Sequence, residues 1–125
     1  MRVGIIGSRG FTDNKLINST LKLATNLTDV LLVSSGKGSD PIVSDYAADE
    51  GMDAVVFRPY NFVDRRAPHR PDYFYFCNKQ IIDNADKVVV FYDGKEKCAL
   101  AAFEYAKSKG IQVDLINLDG STVEG

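Results

Sequence analysis

The sequence predicts a doubly wound α/β domain: a parallel sheet of about five strands in the order 3-2-1-4-5, with helices on both faces. Three observations predict it. Short apolar runs alternate five times with helical patterns, the arrangement that right-handed crossovers turn into a parallel sheet. Glycine-containing turns, Gly7-Ser-Arg-Gly10, Ser34-Ser-Gly-Lys-Gly-Ser-Asp40 and Asp93-Gly94-Lys95, follow the first, second and fourth runs. A length of 125 residues fits one domain that buries about two-thirds of its unfolded surface.

Each element has its own signal. Val3, Ile5 and Ile6 form the first strand, and the helix after it, from about Asp13 to Asn26, carries Ile17, Leu21 and Ala24 on one stripe. Val30 to Val33 is continuously apolar, as a strand covered on both faces must be. Asp40 and Pro41 read as an N-cap and first helical position, Val43, Tyr46 and Ala47 as the inner face, and Gly51 as the stop. Ala54 to Phe57 is a third strand. From Arg58 to Pro71 no period appears and three prolines intervene, which predicts a functional lid or disorder. Asp72 caps the next helix, with Phe74, Cys77 and Ile81 inward. Lys87 to Tyr92 is a fourth strand. Ala99, Ala102, Phe103 and Ala106 mark a helix that ends at Gly110, and Gln112 to Asn117 is the last strand. Residues 119–125 read as a loose tail after a single domain spanning 1–118.

In this strand order the three glycine turns meet where the chain direction reverses, which is where doubly wound sheets bind ligands. Glycines let backbone N–H groups approach an anion, and a helix N-terminus adds positive potential. Gly7, Ser8, Arg9, Gly10 and Phe11 of the first turn are therefore candidate ligand-binding residues. So are Ser34, Ser35, Gly36, Lys37, Gly38, Ser39 and Asp40 of the second, and Tyr92, Asp93, Gly94 and Lys95 of the third. An ordinary tight turn with nothing bound is the rival reading for any one of them; the convergence of three favours a phosphate-bearing ligand.

Single residues carry competing readings. Lys37, between two glycines, is an anion contact or a solvated lysine. Asp40 suits an N-cap better than a ribose contact, and Asp93 suits a ribose hydroxyl or an Asp-Gly turn equally. Asn78 reaches the crevice or is a buried amide satisfied within the fold. Arg58, Arg65, Arg66 and Arg70, four of the six arginines, share one loop with Tyr60, Phe62 and His69. Guanidinium groups grip phosphates bidentately, so they are lid candidates, against a solvated loop or oligomer contact. His69 has no visible nucleophile beside it. The aromatic run Tyr73 to Phe76 reads as core and subunit interface more than as a base-stacking platform.

Composition excludes other classes. A net charge of −2 and a pI near 5.3 give no global attraction to nucleic acid or membrane surfaces. Cys77 and Cys98 show no metal-like or paired spacing and read as reduced intracellular thiols. No run approaches the ~20 apolar residues a membrane span needs. A cytoplasmic protein without metal or cofactor is expected.

Together, Val3-Gly-Ile-Ile-Gly-Ser-Arg-Gly-Phe11, Val33-Ser-Ser-Gly-Lys-Gly-Ser-Asp40, Asn78, Val89 to Lys95, Glu104 to Lys107 and Gly110-Ile111 carry a resemblance. The chain resembles the SLOG superfamily (the SMF/DprA–LOG group), particularly its small stand-alone YspA-like branch. The resemblance implies a Rossmann-like nucleotide-binding domain, often a homodimer or higher oligomer, with phosphates against the 7–11 and 34–39 turns. It also implies a setting in bacterial defence, where a copy without an effector domain would act as a phage-type sponge for a nucleotide messenger. Two departures stand out. Cys98-Ala99 occupies the place of a Gly-Thr pair, and Ala102 the place of the catalytic glutamate of the cytokinin-activating phosphoribohydrolases. The expected activity is thus binding without catalysis. The alternative is a phosphoribohydrolase or N-glycosidase using Glu104 or Asp93, although Glu104 reads better as a solvated charge. Single-stranded DNA binding, as in the DprA relatives, is a weaker alternative that the acidic charge opposes.

Overall fold

The computed structural model describes residues 1–58 and 72–125, with side chains from residue 75 onward in the second stretch. Strands β1 (Arg2–Ile6), β2 (Val30–Ser34), β3 (Asp53–Phe57), β4 (Lys87–Phe91), β5 (Gln112–Ile116) and β6 (Thr122–Glu124) make one sheet. Its order is β3-β2-β1-β4-β5-β6, parallel throughout except for β6, which runs antiparallel to β5. Helices α1 (Asn14–Ala24), α2 (Ser39–Asp49), α3 (Asp72–Asp83) and α4 (Lys97–Ser108) connect the first five strands. The fold is Rossmann-like, and the expected order of the five parallel strands is the one observed.

Alternation along the strands explains the two layers. Val3 and Ile5 of β1 face the same side as Leu31, Val33, Val89 and Phe91, where they pack on Ile17 and Leu21 of α1 and Val43, Tyr46 and Ala47 of α2. Ile6, Leu32, Val88 and Val90 face the other way, onto Cys77, Ile81 and Ile82 of α3 and Ala99, Ala102, Phe103 and Ala106 of α4. Strands β1 and β4 lie side by side, with Ile6 opposite Val90. The chain therefore winds in both directions from that seam, and the crevice opens above it.

Two expectations are corrected. The tail forms a strand: Asn117 and Ser121 close a turn through the Asn117 N–H and the Ser121 carbonyl, 2.9 Å apart. Asp119 Oδ1 accepts from the Ser121 N–H at 2.9 Å and its hydroxyl at 2.6 Å. An Asp-Gly turn of this kind folds the chain back into a hairpin. Asp40, in turn, does not cap α2. The helix begins two residues earlier, because the Ser39 N–H donates to the Ser8 carbonyl (3.2 Å) and Gly38 takes the cap position with φ +76°. The first helix forms close to its expected bounds, ending two residues sooner, and Asp13 is its N-cap, its side chain accepting from the Leu16 N–H. Among the described residues no helix is long and apolar enough to cross a membrane.

Candidate functional site

The three turns meet, as their order in the sheet requires, and they bind one another. Ser8 donates its N–H to Ser39 Oγ (2.9 Å), and the Ser39 hydroxyl contacts the Ser8 carbonyl at 3.4 Å. The Ser8 hydroxyl donates to the Phe91 carbonyl at 2.6 Å. Gly10 donates its N–H to Asp93 Oδ2 at 2.9 Å, and the Phe11 N–H returns to the Ser8 carbonyl at 3.2 Å. Much of the donor capacity expected to face an anion is therefore spent in joining turn to turn. The Ser8 hydroxyl hydrogen is thus spent on the scaffold.

Asp93 is the clearest case. Besides Gly10, its Oδ1 accepts from the Lys95 and Glu96 N–H groups, both at 2.8 Å. Partial burial pushes its carboxyl up, but the N–H groups of Lys95, Glu96 and Gly10 hold it below the usual carboxylate range. Three backbone N–H groups thus fill most of its acceptor sites, the arrangement of an Asp-Gly turn. Replacing Asp93 with alanine strands three N–H groups. We expect a loss of about 2 kcal/mol of stability, read by urea denaturation; a loss under about 0.5 kcal/mol would show that the three bonds add nothing net.

A cleft of about 200 Å³ opens between the turns, lined by Gly7, Ser8 and Arg9, by Ser34 to Lys37 with Asp40, by Asn78 of α3, and by Glu96 and Cys98 at the start of α4. A second, more open hollow of about 520 Å³ shares Arg9, Glu96 and Cys98 with it and adds Gly10, Asp93, Lys95 and Lys97. The enclosed part alone is smaller than most small-molecule pockets; the two together reach that size. Its mouth holds Arg9 and Lys37, both exposed. Neither side chain has an acidic partner among the described residues, and neither do their backbone N–H groups have acceptors there.

The floor is different in kind. Asp40 is 6% exposed and its Oδ2 accepts from the Gly36 N–H at 2.9 Å. Burial pushes its carboxyl up to about 7, against the pull of the Gly36 N–H and of the nearby Ser34 hydroxyl. Gly7 must be glycine here, since a Cβ would collide with Ser39 Oγ and Asp40 Oδ1. Ser34 Oγ is buried without a hydrogen-bond partner, the one such side-chain atom among the described residues. It lies beside Asp40 and Cys77 without bonding geometry to either. Asn78, 5% exposed, completes the floor.

The remaining expected site residues are placed elsewhere. Phe11 is fully buried and packs its ring on Phe91, centroids 5.1 Å apart. Gly38 and Ser39 support the second turn from behind, while Tyr92 and Gly94 line neither hollow. Gly10, Asp93 and Lys95 line only the outer one. Glu104 projects from the outer face of α4, its side chain 62% exposed and 4.0 Å from Lys107, so it has no route to the cleft. Ala102 lies in the core between α3 and α4, so a side chain at that position would point into packing. Arg58 is exposed beyond β3; Arg65, Arg66, Arg70, His69, Tyr60 and Phe62 lie outside the described residues. Phe76, at the end of the aromatic run, is 47% exposed and therefore not core. Two further residues line the cleft: Glu96, which the sequence did not single out, and Cys98, noted there only as a thiol and as standing in place of a glycine. Their signal was their position directly after the third glycine turn, at the first residues of a helix.

Cys77 and Cys98 are not joined in a disulfide. Among the described residues no group of three or more His, Cys, Asp or Glu is placed to hold a metal ion. No protein-family model matches the chain, and no curated protein is significantly similar to it.

Proposed function

We propose that the chain binds a phosphorylated nucleotide, or a messenger derived from one, and holds it without cleaving it. The observation that carries this reading is the division of the cleft. Two cations without described acidic partners, Arg9 and Lys37, stand at the mouth, over a buried polar floor whose Ser34 hydroxyl lacks a partner. An anion at the mouth gains charge-assisted bonds, and the N-terminus of α2 beside Lys37 adds favourable potential. The resemblance to SLOG domains supports the same ligand class and suggests sequestration of a signal as the biological role.

The test is equilibrium binding to a panel of linear, cyclic and ADP-ribose-type nucleotides, alongside mass spectrometry of whatever small molecule co-purifies. Arg9→Ala is expected to weaken binding by about 1–3 kcal/mol, as loss of a charge-assisted bond does. Unchanged affinity, or binding no tighter than millimolar across the panel, would place the ligand elsewhere.

A second reading, N-glycosidic or phosphoribosyl hydrolysis, draws on two carboxyl groups that line the cleft, Asp40 and Glu96. Such cleavage needs a carboxylate to assist departure or activate water. Release of free base from nucleoside monophosphates would favour it over binding alone.

A further inference from the structure

We infer that the floor of the cleft is a ribose site: Asp40, Ser34 and Asn78 hold the cis-diol of a ribonucleotide whose phosphate lies at Arg9 and Lys37. The inference rests on the nucleotide reading above and adds the orientation of the ligand and its discrimination of ribose from deoxyribose.

The floor is selective in what it accepts. It holds no cation, and its one carboxyl is buried, so a phosphate dianion seated there would meet like charge away from water. A nucleobase seeks an apolar or aromatic wall to stack on, and no aromatic ring lines the cleft among the described residues. A sugar diol meets both conditions: it is uncharged, small, and brings two O–H donors. Asp40 is short of such donors. Its carboxylate has acceptor sites for about four hydrogen bonds; the Gly36 N–H fills one and the nearby Ser34 hydroxyl adds a weaker pull, which leaves acceptor capacity open. Ser34 supplies the independent observation. Its side-chain oxygen is buried in the same wall without a partner, and a buried hydroxyl left so costs free energy that a ligand hydroxyl would recover. Asn78 brings an amide able both to donate and to accept.

The experiment is calorimetric titration of the four ribonucleoside 5′-monophosphates, their 2′-deoxy counterparts and inorganic phosphate. The intact chain is compared with Asp40→Asn and Ser34→Ala. Sites built to bond a hydroxyl reject the analogue lacking it strongly, so ribonucleotides are expected to bind at least tenfold more tightly than their deoxy forms. That ratio falls at least fivefold in Asp40→Asn and in Ser34→Ala, while phosphate binds all three proteins alike. Equal binding of ribo and deoxy forms to the intact chain overturns the inference and leaves the nucleotide reading standing. The same holds if Asp40→Asn weakens phosphate as much as nucleotides. If neither nucleotides nor phosphate bind, the ribose site is overturned, and failure of the cyclic and ADP-ribose-type panel as well brings down the nucleotide reading. Thermal melts of both variants establish that they fold; should one not, the other carries the comparison.

Discussion

Asp40→Asn is expected to stabilise the fold by about 2 kcal/mol at pH 8 and to confer no advantage below pH 4, because it removes a charge that burial penalises. The sign follows from proton counting. Burial raises the folded-state carboxyl from 3.8 to about 7. Between those values the folded chain binds more protons than the unfolded one, so the wild type loses stability as pH rises through that window. At about 1.4 kcal/mol per tenfold in proton affinity, the ceiling is on the order of 4 kcal/mol. The asparagine amide must itself be desolvated, which takes back part of that gain. Asparagine keeps a carbonyl oxygen for the Gly36 N–H, so the scaffold bond survives. Urea denaturation at pH 4, 6 and 8 reads the effect directly. A difference between the two proteins that does not change with pH would show that Asp40 ionises in the ordinary carboxylate range.

Gly38→Ala is the most damaging single methyl group we foresee, with a cost of about 4 kcal/mol from a glycine-only backbone conformation and a clash that cannot relax. Gly38 has φ +76° and ψ −112°, and a Cβ there would strike the backbone carbonyl oxygens of Ser8 and Arg9. Those oxygens belong to the first turn, so the methyl group would separate the first turn from the second. Gly94→Ala is the control: its φ is also positive, +85°, but no atom lies within 4 Å of the added carbon, and the cost should be about 1 kcal/mol. Domains of this kind are commonly stable by about 5–15 kcal/mol, so Gly38→Ala would take a large share. Equal losses at the two glycines would mean that contact between the turns contributes nothing beyond backbone strain.

The frame of the fold was legible because each signal for it is local. The apolar runs at Val3 to Ile6, Val30 to Val33 and Lys87 to Tyr92 each report burial on both faces, and the helix stripes report a single inner face. Strand β6 was missed because Thr122, Val123 and Glu124 are all exposed; a half-covered edge strand of three residues carries little pattern. The meeting of the turns was also legible, since it follows from strand order alone. How they use their hydrogen bonds was not. Ser8 and Ser39 lie 31 residues apart and Gly10 and Asp93 lie 83 apart, so neither partner is visible from the other's neighbourhood. Asp40 shows the same limit. Asp-Pro is a sound start signal for a helix, but the contact between Ser39 and Ser8 moved that start and turned the carboxyl inward, where its proton affinity changed.

The stitching of the three turns bears on how a guest is received. Serine and aspartate side chains tie the loops across the seam, so the walls of the hollow stand ready before anything arrives. A ligand of the kind proposed would then surrender mainly its own freedom of movement, because these turns have little left to arrange.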